Sequence, residues 1–127
     1  LPESPQAAAR QAQVIALLDS YAYRAMVWGV FVEFGKPDGE RDNGLIETSL
    51  ATAAISLDEM DRFLGDSPFL AGDAPGLADC HALPMFDYFQ RPAAGRDMLA
   101  ARPRLAAWFA RMAARPSARE TAFPDPE

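Results

Sequence analysis

Apolar residues recur along this chain at helical rather than strand spacing. No proline interrupts residues 6–34, where Val14, Leu18, Tyr21, Ala25, Trp28 and Val32 follow one another at alternating steps of four and three. That spacing predicts an amphipathic helix with those six side chains on its inner stripe. Gly35-Lys36-Pro37-Asp38-Gly39 ends it, by a glycine that tolerates a left-handed conformation and a proline that cannot continue the ladder. A second helix is predicted from Asp42-Asn43-Gly44, any of which can cap it. Leu45, Leu50, Ala54, Leu57, Met60 and Leu64 supply its inner side, and Gly65 lies just past its end.

A third helix, over about residues 77–89, is apolar nearly all round, as suits the middle of a bundle. Pro84 inside it removes one ladder hydrogen bond and predicts a kink. A break over 92–95 precedes a short helical turn over 97–101. Pro103 then opens a further helix with Leu105, Trp108, Phe109 and Met112 on its apolar side. Pro116 stops that helix, and Ser117-Ala118-Arg119-Glu120 has the form of a capping box for one last turn. No segment sustains period-two alternation, so the fold class is all-α, a bundle of about five helices.

Composition narrows the function. The 127 residues suffice for one domain with a real core, and half of them are hydrophobic. A net charge of −6 argues against a nucleic-acid backbone or an anionic membrane as partner. The single Cys precludes an internal disulfide. There is no signal-peptide pattern, and the longest apolar run, 25–32, is too short to span a bilayer. The expected location is therefore the cytoplasm.

The most informative stretch is Phe69-Leu70-Ala71-Gly72-Asp73-Ala74-Pro75-Gly76-Leu77-Ala78-Asp79. It reads as a tight turn that launches the third helix. The first backbone N–H groups of that helix need acceptors. Asp79, three residues after Gly76, can reach back to the Gly76 N–H and face the positive end of the helix. The stretch resembles the helix-starting motif in the C-terminal domain of glutathione transferases, with Gly76 where Ser or Thr is usual. Only half of the reciprocal capping box remains, so Gly76→Ser is expected to stabilise the fold and Asp79→Ala to weaken it. The later Pro103-Arg104-Leu105-Ala106-Ala107-Trp108, followed by Arg115-Pro116-Ser117, is similar to a second motif of the same domain. The Arg-Pro-Ser form is closest to the bacterial and phi-like branch of the family.

The resemblance extends over essentially the whole chain. It implies a linker remnant at 1–5, a glutathione S-transferase C-terminal helical domain at 6–122 and an irregular tail at 123–127. Leu1-Pro2-Glu3-Ser4-Pro5 resembles the stretch that joins a thioredoxin-like domain to the helical one, so the chain is expected to be a fragment; a processed short leader is the alternative. The implied reaction is conjugation of glutathione, as co-substrate, to a hydrophobic electrophilic small molecule by a homodimer. Thiol activation and most of the glutathione grip belong to the absent domain, so no catalytic residue, and no metal, is assigned here. The fragment alone is expected to be inactive. A non-catalytic interaction or ligand-binding module of the same fold is the alternative function.

Opposite the first helix's core stripe, a 100° wheel places Ser20, Tyr23, Val27, Val30, Phe31 and Phe34. That side is too apolar and aromatic for a free surface, so something must cover it. In the family, the corresponding helix faces the other domain and the dimer partner and lines the electrophile pocket. The resemblance therefore makes Tyr23, Val27, Val30 and Phe31 candidates for the substrate-binding wall, with Ser20 and Arg24 at its rim. Plain packing against another domain or subunit explains the face equally well. Arg24 could assist the glutathione carboxylate across a dimer interface, or pair locally with Asp19 or Ser20. Cys80 and His81 are neighbours on different helix faces, without further ligands at metal spacing, and both read as packed structural residues.

Overall fold

The computed structural model describes residues 2–122 and residue 124. Among these, the chain forms six helices and no strand, which is the all-α bundle expected. Helix α1 runs over Pro5–Gly35. It is followed by α2 (Asn43–Leu64), α3 (Leu77–Phe89), α4 (Ala93–Ala100), α5 (Pro103–Ala113) and α6 (Pro116–Glu120). Of the expected irregular tail, Phe123 and residues 125–127 lie outside the described residues.

Helix α1 starts within the expected linker. Ser4 caps it, its Oγ accepting from the Ala7 N–H at 3.1 Å, and Pro5 takes the first helical position, where its missing donor costs nothing. Through Leu18–Ala22 and Arg24–Val32 the helix is wound with i→i+5 bonds. An α-helix turns in about 3.6 residues, and the wider winding raises the average to roughly four. Every fourth residue therefore returns to the same face. Val14, Leu18, Ala22, Met26 and Val30 form the buried spine, in steps of four throughout. This corrects the four-and-three stripe: Tyr21 is 62% exposed and Trp28 55%. By length and composition alone α1 could cross a membrane, but 44% of its apolar window is buried inside the protein, as in a core helix.

Against α1 lie α2 and α3. Asp42 caps α2 through a bond from the Leu45 N–H at 3.0 Å, and Gly65, at φ 55°, ends it with a backbone that other residues adopt only under strain. The inner side of α2 is rotated slightly from the expectation. Ile46, Ser49 and Ala53 are buried together with Leu57, Met60 and Leu64, whereas Leu45 is exposed and Leu50 and Ala54 are half-buried. The axes approach closely at Gly29, where an added Cβ would stand 1.8 Å from the Ser49 Oγ. Helix α4 begins at Ala93, inside the expected break, and α6 opens on Pro116 rather than on a Ser117 cap. Ion pairs from Arg102 to Asp58 (2.8 Å) and from Arg104 to Asp61 (3.0 Å) tie α5 to α2.

Asp79 joins three parts of the bundle. Its Oδ2 accepts from the Gly76 N–H at 2.9 Å, as expected, and from the Ala71 N–H at 3.2 Å. Its Oδ1 accepts from the Leu70 N–H at 2.7 Å and from Trp108 Nε1 at 2.8 Å. The carboxylate is fully buried, and these four donors replace the water it has lost. Leu70 and Ala71 form the tip of a turn closed by reciprocal Phe69–Gly72 backbone bonds of 3.1 Å. Trp108 also packs edge-on to Phe86, ring centres 5.0 Å apart, at the middle of the core. The expected benefit of Gly76→Ser is overturned: a Cβ at Gly76 would lie 2.7 Å from the Ala71 Cβ.

Candidate functional site

The four-residue period of α1 sorts its second half into faces. Ala22, Met26 and Val30 enter the core. Asp19, Tyr23, Val27 and Phe31 turn towards α3, which they meet at both ends: Asp19 Oδ1 lies 2.7 Å from His81 Nε2, and the Phe31 and Tyr88 rings are 4.7 Å apart. Tyr21, Ala25, Gly29 and Glu33 turn towards α2, with Gly29 against Ser49 and Glu33 bonded to the Asp42 N–H at 3.0 Å. Ser20, Arg24, Trp28 and Val32 look outward.

The six sequence candidates therefore separate. Ser20 and Arg24 are exposed, Tyr23 is 41% exposed, and Phe31 is half-buried. Val27 and Val30 lie in the core, at 9% and 0% exposure, instead of on the outer side where the 100° wheel put them. The wider winding is the cause. Met26, which belongs to the core, was missed by the wheel, although an uninterrupted run of fours from Val14 to Val30 was there to be read. Trp28, assigned to the core, is the largest exposed side chain of α1.

Neither local pairing suggested for Arg24 forms: Asp19 is engaged by His81 across the α1–α3 seam, and among the described residues Arg24 has no ion pair. Cys80 is exposed, which corrects its reading as a packed thiol, while His81 is hydrogen-bonded as expected. Among the described residues no three His, Cys, Asp or Glu side chains gather at metal-binding distance. The exposed surface of α1 thus offers a hydroxyl, a guanidinium and three large aromatic rings. Such a set binds and orients an apolar molecule and has no nucleophile–base pair of its own.

Glu33 holds the base of this face. It is buried, bonded to Lys36 Nζ at 2.6 Å and to the Asp42 N–H. The Lys36 hydrogen bond, then that of the Asp42 amide, keeps its carboxyl below the usual carboxylate range. The link from α1 to α2 is thereby pinned at both ends. A wide cleft of about 1010 Å³ opens between the first turns of α1 and the 70–78 loop, and Asp79 fixes that loop from behind.

Comparison with known proteins identifies the architecture. The family profile described as "Glutathione S-transferase, C-terminal domain" matches residues 44–111, more than half of the chain. The chain belongs to the glutathione S-transferase family. Human glutathione S-transferase theta-2 is 50% identical over 54 residues, covering 42% of this chain and 21% of that protein. Glutathione S-transferase F9 of Arabidopsis thaliana is 36% identical over 80 residues, covering 63% of this chain and 37% of that protein. Crystallographic neighbours agree on the fold. Glutathione transferase F7 from Populus trichocarpa superposes with a TM-score of 0.75 at 25% identity, covering 93% of this chain and 56% of that one. A glutathione S-transferase III structure gives 0.77 at 23% identity, covering 94% and 58%. The chain thus spans only part of each of these relatives.

Proposed function

We propose that this domain supplies the electrophile-binding wall and part of the dimer interface of a glutathione-conjugating transferase. The observation that carries the reading is the uncovered aromatic face of α1: Tyr21, Tyr23 and Trp28, each more than 40% exposed, beside Ser20 and Arg24. A set of large rings at this density calls for a partner surface or ligand. Tyr23 and Phe31 would contact the apolar electrophile, Ser20 and Arg24 would sit at its rim, and Val27 and Val30 would back the wall from the core. Trp28 and Tyr21 would meet the second subunit. A thioredoxin-like domain preceding this one would bind glutathione and activate its thiol, and the part-length match to every relative cited above supports such a domain. The cytoplasm, where glutathione is abundant, is the proposed location. The Arg115-Pro116-Ser117 sequence supports placement near the bacterial and phi-like branch.

The test compares the 127-residue chain with the same chain preceded by its thioredoxin-like domain, assayed with glutathione and 1-chloro-2,4-dinitrobenzene. Turnover is expected only from the longer protein, and Tyr23→Ala in it is expected to raise KM for the electrophile while leaving KM for glutathione unchanged. A longer protein that folds and dimerises without turnover would identify a non-catalytic binding module. Conjugation by the 127-residue chain alone would contradict the division of labour.

A further inference from the structure

We propose that a second cleft, at the far end of α1, binds a planar aromatic anion. It encloses about 320 Å³ between the last turns of α1, the link to α2 and the start of α4. Phe31 and Phe34 form its floor, Pro92 and Ala93 its opposite lip, and Arg41 and Arg91 its flanks. Both charged side chains that line it are guanidinium groups. The carboxylates they pair with, on Asp38 and Asp87, lie outside the lining.

The two cations are already positioned. Arg41 Nη2 donates to the Phe34 carbonyl at 2.7 Å and Nε to the Lys36 carbonyl at 2.9 Å, which holds its Cζ 5.3 Å from the Phe34 ring centre. Arg91 Cζ stands 5.3 Å from the Tyr88 ring centre and 6.0 Å from that of Phe31, and its Nη2 bonds Asp87 at 3.1 Å. Fixed side chains lose little entropy when a ligand arrives. An aromatic ring would stack on Phe31 and Phe34 and against the guanidinium planes, and its acid group would lie in the positive field between them. The volume is at the lower end of small-molecule sites, about 300–1,000 Å³, and suits a bicyclic ligand.

Phe31 is shared with the proposed electrophile wall, so the test uses no glutathione and a probe with no electrophilic carbon; its failure would leave the transferase reading intact. Sodium 2-naphthoate and the neutral 2-naphthalenemethanol are titrated calorimetrically into the 127-residue chain, with amide spectra recorded in parallel. Naphthoate is expected to bind about tenfold more tightly than the alcohol and to shift the Gly35 and Ala93 amides. Ala93→Trp, at an exposed position on the lip, should abolish binding, and Arg91→Gln should remove the preference for the anion. Equal affinity for the two probes, no saturable binding of naphthoate, or undiminished binding to Ala93→Trp would overturn the proposal. Should Arg91→Gln fail to fold, the amide shifts of the unmodified chain decide: shifts confined to residues outside the cleft would overturn it.

Discussion

Trp108 donates its indole N–H to Asp79 Oδ1 at 2.8 Å, so the hub of the core and the cap of α3 are one hydrogen-bonded unit. The two residues are far apart in sequence, yet each completes the other. The ring would otherwise bury a donor without a partner, and the carboxylate would lose one of its four. Trp108→Phe is expected to cost about 1–3 kcal/mol, and Asp79→Ala at least about 3 kcal/mol, because three backbone N–H groups lose their acceptor at once. Chemical denaturation of both single variants and the double variant checks this. Strict additivity would show that the 2.8 Å contact carries no coupling.

Gly76 is required by the same turn for lack of space, not for its backbone angle, since φ is −125°. A serine there would offer the usual cap oxygen, but its Cβ would collide with that of Ala71. Gly76→Ser should therefore lower stability by roughly 1–3 kcal/mol, the usual cost of overpacking. Pairing it with Ala71→Gly should recover most of the loss. A raised melting temperature in the single variant would show that the loop yields more easily than the geometry indicates.

The crossing of α1 and α2 depends on a second glycine. Gly29→Ala would drive a methyl group into Ser49, whose Oγ and Cβ lie 1.8 and 2.3 Å from the built position. Destabilisation of roughly 1–3 kcal/mol is expected. Ser49→Ala should not rescue it, because the Cβ clash remains, whereas Ser49→Gly should. Thermal melts of the four proteins separate these cases.

Glu33 gives stability a pH dependence. Its carboxyl is held below the ordinary range by Lys36 and by the Asp42 amide. A lowered folded-state pKa means that the contribution is fully present above the unfolded value, about 4.3, and is lost as pH falls through the folded one. Melting temperature against pH should drop less steeply below about pH 4 in Glu33→Gln than in the parent chain. Parallel curves would remove Glu33 from the account.

Much of the fold was legible in the sequence because its cues are local. The bounds of α3, the Asp42 cap, the glycine ending α2 and Pro103 at the start of α5 depend on residues a few positions apart, where chain connectivity enforces the contact. The partner of Asp79 at Gly76 was readable for that reason; its partner on Trp108 was not. The faces of α1 were misassigned for a related cause. The wheel assumes one helical pitch, and the pitch is a collective outcome of packing: i→i+5 winding places Met26 and Val30 beside Leu18 and Ala22 in the core and turns Trp28 out.

Spacing, prolines and caps thus determined an all-α chain, the motifs at 69–79 and 103–117 and the family they resemble. Tertiary structure decided which side of α1 is available to a ligand, why Gly76 must remain glycine, and that Phe31, Phe34, Arg41 and Arg91 share one cleft. Those properties arise between segments distant in sequence, where close packing selects one arrangement and no local pattern records it.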